Sequence, residues 1–357
     1  MAIPIEMTKH PKPKQLDISK LGFGNYFTDH MFTMWWRDGA WVEPKIIPYA
    51  PIPLDPAAMI LHYSQEVFEG LKGYPRKDGE IGFFRPEMNI KRFNASCERM
   101  QIPVLDEDLH MEAIETLVDL EREWCPREEG TSLYIRPTVI ATEPHLGVRT
   151  SGEFLFYIIL SPVGAYFAGG FKPTKIAITK EFVRAAPGGT GFAKTAGNYA
   201  ASLAAQAEAV VKKCDQVLFL DAVEKKYIEE MGGMNFFALL GDTLTTPPLT
   251  GTILPGITRD SILTLAKEMG LKTDVRQFSV DELLSAIDSG KCKECFACGT
   301  AAVATSIGTL QYDGADHKIA DGEPGELTLK LYRMLVDLQS GSSEDKHGWT
   351  RVCPRKR

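Results

Sequence analysis

The segment PGGTGFAKTAGNY, residues 187–199, gathers chemistry around a single side chain. Lys194 has no other charged residue within five positions on either side, and glycines and small residues surround it. Most lysines are solvated surface groups. A lysine among glycines instead lets a bulky ligand come close to both backbone and amine. Two chemistries use such a residue. One is phosphate binding by the P-loop pattern G-x-x-x-x-G-K-[ST]. Gly188, Lys194 and Thr195 match it, and VLFLD at 217–221 imitates the strand and aspartate that accompany it. However, Ala193 replaces the last glycine, and FVRAAP separates the loop from the apolar strand Ile176–Thr179. A phosphate loop needs glycine dihedrals and follows its strand directly, so both departures argue against an ATP-binding protein. The other chemistry is covalent: an amine of lowered pKa forms a Schiff base with a carbonyl cofactor.

Two further clusters carry reactive groups. Glu229 and Glu230 are adjacent in EEMGGMN; on a strand their side chains point to opposite faces. Cys292, Cys295 and Cys298 recur every three residues in CKECFAC, a spacing that suggests zinc or an iron–sulfur cluster. Residues 294–299 read as a strand, which places Cys295 and Cys298 on opposite sides, and no histidine lies nearby. No metal is expected. The seven cysteines are odd in number in a large chain, so a disulfide framework is not expected and a reducing cytoplasm is.

The elements that must position these groups read as mixed α/β in two domains, since 357 residues exceed one small domain. The smaller N-terminal domain is placed at 1–162, the linker VGAYFAGGF at about 163–172, and the larger C-terminal domain at 173–357. Strands are expected at 81–84, 132–142 and 153–161, with helices at 86–100 and 106–124, Asp106 being the N-cap. The second half predicts strands at 175–180, 216–221, 226–231, 234–240 and 294–299. Its helices fall at 197–213, 258–269, 280–288 and 325–339, with Gly270 at a helix C′ position. Residues 1 to about 20 and about 341–357 are polar or basic and expected to be loose. A net charge of −7 disfavours nucleic acid and anionic membrane as partners. No apolar run reaches transmembrane length, and the start does not resemble a secretory signal.

GGTGFAKTAGNYA is similar to the lysine segment of branched-chain aminotransferases, which are class IV aminotransferases and fold-type IV pyridoxal-phosphate enzymes. Other blocks agree in order and spacing: FGNYFTDHMF (23–32), LHYSQEVFEGLKGY (61–74), FFRPEMNIKRF (83–93), LYIRPTVIATEPHLGV (133–148), EEMGGMNFF (229–237), TPPLTGTILPGITR (246–259) and FACGTAAV (296–303). The match spans nearly the whole chain between its tails.

The resemblance implies transfer of an amino group from leucine, isoleucine or valine to 2-oxoglutarate, with pyridoxal 5′-phosphate as cofactor. Lys194 would be the Schiff-base lysine and proton carrier. Glu230 would hold the ring nitrogen, with Glu229 its rival by position, and Tyr199 would reach the ring oxygen. Arg92, the backbone of Thr252 and Ile253, and Thr300 would hold the phosphate. Phe23, Tyr63, Phe68 and Tyr134 would wall the substrate pocket. Arg136 would receive the glutamate side-chain carboxylate, and the Thr300-Ala301 turn the α-carboxylate. Leu146 and Val148 resemble a loop that reaches the neighbouring subunit's site, so a homodimer is implied. The redox-sensitive C-x-x-C of some members is replaced here by Ala302 and Thr305. Within the same fold type, a D-amino-acid aminotransferase and an aminodeoxychorismate lyase are the rivals.

Overall fold

The computed structural model describes residues 3–14, 16–165 and 171–356. Half of the expected linker therefore lies outside the described residues; 163–165 and 171–172 of it are inside. The chain forms two compact units. The first comprises Met1–Ala168, Ala193–Ala196 and Asp337–Arg357, the second Gly169–Phe192 and Gly197–Val336. Two assignments made from sequence change. Lys194 and the C-terminal stretch cluster with the first unit, which is the longer, rather than with the second. The reason is local bonding: Lys194 N–H donates to Ser96 Oγ at 2.9 Å, and Lys194 C=O accepts from Phe68 N at 3.0 Å.

In the first unit, strands run in the order Thr350–Val352, Ile81–Phe84, Leu71–Pro75, Ser132–Ala141, Phe154–Val163, His30–Arg37, Ala40–Pro48, with Glu66–Phe68 pairing on Ser132–Ala141. The hairpin between His30–Arg37 and Ala40–Pro48 turns at Asp38 and Gly39, both at positive φ (51° and 77°), the conformation a type I′ turn demands. Helices Pro86–Arg99 and Glu107–Leu120 supply Ile90, Phe93, Ile114 and Leu117 to one core with Phe83, Phe154 and Phe156 of the strands. Asp106 caps the second helix by accepting from Leu109 N at 2.8 Å. That helix ends at Leu120, and Arg122–Trp124 continues as one 3-10 turn.

Neither tail is loose where it is described. Ile3 is buried, Glu6 N donates to Ile46 O at 2.9 Å, and Thr350–Val352 forms the outermost strand. Each tail finds backbone partners far away in sequence, which local composition does not reveal.

In the second unit the order is Ile228–Met231, Gln216–Leu220, Thr174–Thr179, Val303–Tyr312, Cys292–Gly299, Asn235–Leu240, Thr243–Thr246, Lys272–Val275, with Ala315–Lys318 on Val303–Tyr312. Ile228–Met231 also pairs with Asn235–Leu240 through Glu230 and Asn235, so the sheet closes on itself. The expected helix at 197–213 is two pieces, Ala196–Ala200 and Leu203–Val211, parted at Ser202, whose N–H bonds Tyr199 O. In Cys292–Gly299 the register slips between Glu294 and Cys292. This bulge turns Cys292 onto the same face as Cys295, with sulfurs 3.6 Å apart, where a regular strand would oppose them. All seven cysteines are free and buried. Among the described residues no helix is long and apolar enough to cross a membrane.

Candidate active site

In the first unit, Lys194 sits in the short loop before Ala196–Ala200 and is half-buried. Its backbone is pinned on both sides by Ser96 and Phe68, and Thr195 Oγ1 donates to Glu66 O at 2.7 Å. The pinned backbone aims the side chain: Lys194 Nζ lies 5.0 Å from the centroid of the Phe68 ring. The same ring carries the Arg136 guanidinium at 4.7 Å. Arg136 also lies 5.3 Å from the Tyr134 ring and donates to Tyr134 Oη at 3.3 Å, while its buried Nε has no hydrogen-bond partner among the described residues. Phe23, about half exposed, packs edge-on against Tyr134 at 4.8 Å. Strand alternation explains the grouping, since Tyr134 and Arg136 share one face of Ser132–Ala141. Gly70 makes room for it, because a Cβ there would fall 1.9 Å from Tyr134 Oη.

Arg92, two turns into Pro86–Arg99, forks onto Glu69 through Nε at 2.6 Å and Nη2 at 2.9 Å. Glu69 is buried and also accepts from Asn89 Nδ2 and Gly70 N, each at 2.9 Å. Burial would raise the Glu69 pKa, but Arg92, Lys194 and Asn89 together hold it below its ordinary value. Sequence reasoning missed Glu69, although it lies inside the EGLKGY block. Tyr63 donates to Leu146 O, at the root of a loop whose Leu146 and Val148 are strongly exposed.

In the second unit, Glu229 and Glu230 fall on Ile228–Met231 and do face different partners. Glu230 accepts from Leu254 N at 2.8 Å and Asn235 Nδ2 at 3.1 Å, and pairs with Arg184 Nη2 at 2.6 Å. Glu229 accepts from Thr252 Oγ1, and its other oxygen is buried with no hydrogen-bond partner among the described residues. Burial raises the Glu229 pKa, only partly offset by Thr252 and Arg184. Arg184, also missed from sequence, reaches Gly191 O at 2.9 Å and Thr252 O besides Glu230. It therefore ties the glycine-rich segment to the Thr252 loop. Gly256 is indispensable to this arrangement, since a Cβ there would lie 1.9 Å from Asn235 Oδ1. Thr252 and Ile253 are buried in that loop; Tyr199, on Ala196–Ala200, is half-buried. Thr300 and Ala301 form the turn between Cys292–Gly299 and Val303–Tyr312. Among the described residues no group of three or more His, Cys, Asp or Glu could hold a metal ion.

The donor set suits pyridoxal phosphate in kind. An amine stands against an aromatic ring, a guanidinium has been fixed by a carboxylate, and a buried carboxylate is oriented by three donors. The Thr252 loop approaches Gly191 so closely that a Cβ there would meet Thr252 O at 2.5 Å.

Known proteins agree with this chemistry. The amino-transferase class IV family matches residues 66–309. A probable branched-chain-amino-acid aminotransferase of Streptomyces coelicolor is 52% identical over 330 residues, covering 92% of this chain and 91% of that protein. The branched-chain amino acid aminotransferase structure from Escherichia coli superposes with a TM-score of 0.75 at 29% identity, covering 90% of this chain and 99% of that one. A T.th. branched-chain amino acid aminotransferase with pyridoxamine 5′-phosphate gives 0.74 at 26%, covering 90% and 98%. The chain belongs to the class IV aminotransferases and, within them, to the branched-chain-amino-acid aminotransferases.

Proposed function

We propose that this protein transfers the amino group of L-leucine, L-isoleucine or L-valine to 2-oxoglutarate, using pyridoxal phosphate held at Lys194. The relatives' names support the substrate class. The observation that carries the reading is the Phe68 ring, which bears the Lys194 amine on one contact and the Arg136 guanidinium on another. An amine for the reaction and a cation for a distant carboxylate thus share one apolar wall.

Pyridoxal phosphate, when bound, supplies a carbon that takes the amino group and a ring that draws electrons from the substrate α-carbon. Lys194 would hold it covalently, then carry a proton to and from that α-carbon as base and acid. Glu230, kept in place by Arg184, Leu254 N and Asn235, would hold the proton on the ring nitrogen, and Tyr199 would orient the ring oxygen. Arg92 and the N–H groups of Thr252 and Ile253, with Thr300, would hold the phosphate. Phe23, Tyr63, Phe68 and Tyr134 would accept a branched side chain. Arg136 would receive the side-chain carboxylate of glutamate, and Ala301 N–H the α-carboxylate.

The exposed Leu146 and Val148 support a homodimer in which this loop meets a second copy. Free buried cysteines are in keeping with a cytoplasmic protein. The test is a panel of amino donors with 2-oxoglutarate, read as oxo acid formed. Activity with leucine, isoleucine and valine supports the reading. Activity confined to D-amino acids, or pyruvate release from aminodeoxychorismate, refutes it.

A further inference from the structure

The C-terminal segment is bound more tightly than its composition suggests. Strand Thr350–Val352 pairs antiparallel with Ile81–Phe84, directly before helix Pro86–Arg99. Arg85, the residue at that helix's N-cap, donates its N–H to Trp349 O at 2.6 Å and lays its guanidinium over the Trp349 ring at 4.9 Å. Its φ of +50° is a costly conformation for arginine, so these contacts help to maintain it. Arg351 then reaches Glu87 in the first turn of the helix at 3.2 Å, and Glu115 of Glu107–Leu120 at 2.7 Å. Further on, Arg122 Nη2 donates to Cys353 O at 3.1 Å, Arg355 reaches Glu80 at 2.9 Å and Lys356 N donates to Asp119 at 2.9 Å.

The helix that these contacts fasten is the one that serves the site. It carries Asn89 and Arg92, both bonded to Glu69, and Ser96, which receives the Lys194 N–H. We infer that residues 345–356 act as a strap that sets the position of helix Pro86–Arg99, so that Arg351 and Trp349 are positioning residues for Arg92 and Lys194 and govern how long the cofactor is retained. This rests on the proposed role of Arg92 as the phosphate cation.

The test measures release of pyridoxal phosphate from full-length holoenzyme into a trapping apo-aminotransferase, alongside thermal midpoints. Arg351→Glu replaces both attractions with repulsion and leaves the strand pairing available. It should speed release about tenfold, a size that coupled neighbouring charges reach. Adding Glu115→Arg to it should restore a slow rate. Arg92→Gln serves as the reference and should release at least as fast. If Arg92→Gln releases slowly, the phosphate assignment itself fails. If Arg92→Gln is fast while Arg351→Glu keeps the wild-type rate, even with a lowered thermal midpoint, the strap is only structural and the inference is overturned. Should Arg351→Glu fail to fold, Trp349→Phe, which loses ring area but keeps the backbone bond, must show faster release than wild type for the inference to stand.

Discussion

Replacing Arg136 with methionine should separate the two substrates that the proposed pocket would share. Arg136 is flanked by Phe68 and Tyr134 and, among the described residues, makes one long hydrogen bond, to Tyr134 Oη at 3.3 Å, while its buried Nε has no partner there. Its hydrogen-bonding capacity is thus largely unspent and is available to a carboxylate. Removing one partner of a buried ion pair costs about 3–5 kcal/mol. Arg136 is partly exposed, so the lower end applies, about 3 kcal/mol, or roughly a hundredfold in specificity for glutamate. Leucine brings no charge to this end. Methionine keeps an apolar surface against Phe68, so the leucine half-reaction should change by less than about threefold. Single-turnover absorbance with each amino acid measures both constants. Equal losses for leucine and glutamate would show that Arg136 supports the architecture or the α-carboxylate, and the account of a shared pocket would have to be abandoned.

Other changes test the remaining parts. Lys194→Ala should abolish both the borohydride-reducible colour and nearly all turnover; a mutant that still bleaches with borohydride removes Lys194 from its role. Glu230→Gln should slow the proton transfer more than Glu229→Gln, and stopped-flow absorbance giving the reverse order would exchange the two assignments. Gly256→Ala should destabilise by about 2 kcal/mol in urea, as overpacking does, because the new Cβ collides with Asn235 Oδ1 and dislodges a donor from Glu230; unchanged stability and rate would show that the loop adapts. His110 is buried with neither ring nitrogen bonded among the described residues, and burial pushes its pKa down to about 3. The unfolded chain therefore binds the extra proton between about pH 6.5 and 3, and stability falls as pH drops through that window. His110→Leu should lessen that fall, so its advantage in urea unfolding should be larger at pH 5 than at pH 8; a constant difference would refute the buried neutral imidazole.

What could be read from the chain depended on how local each cause was. The Lys194 segment was legible because its glycines and its lack of charge lie within a few residues. The Asp106 cap was legible for the same reason, and the Asp38-Gly39 hairpin, whose signal is as local, escaped a reading based on apolar runs. Arg184 and Glu69 were not legible. Each resembles an ordinary surface charge until the fold brings Glu230 to one and Arg92 to the other. The basic C-terminal tail looked loose because Arg122 and Asp119, which hold it, are more than two hundred residues away. The pairing of Cys292 with Cys295 depends on a bulge that sequence periodicity assumes away.

The two adjacent glutamates show how a fold gives one kind of group two environments. Strand alternation sends them to different surroundings, and those surroundings differ in what they supply. Glu230 meets a guanidinium, a backbone N–H and an amide, all of which favour the ionised carboxylate and fix its direction. Glu229 meets one hydroxyl, leaves an oxygen bare, and is pushed by burial toward its protonated form. A group that must keep a positive ring nitrogen beside it has to remain negative before that nitrogen arrives. Of the two, Glu230 has the surroundings that the proposed role asks for. Arg184 is the cause: it contributes the charge, and because it also binds Gly191 O and Thr252 O, the carboxylate is tied to the same backbone that lines the glycine-rich segment and the Thr252 loop.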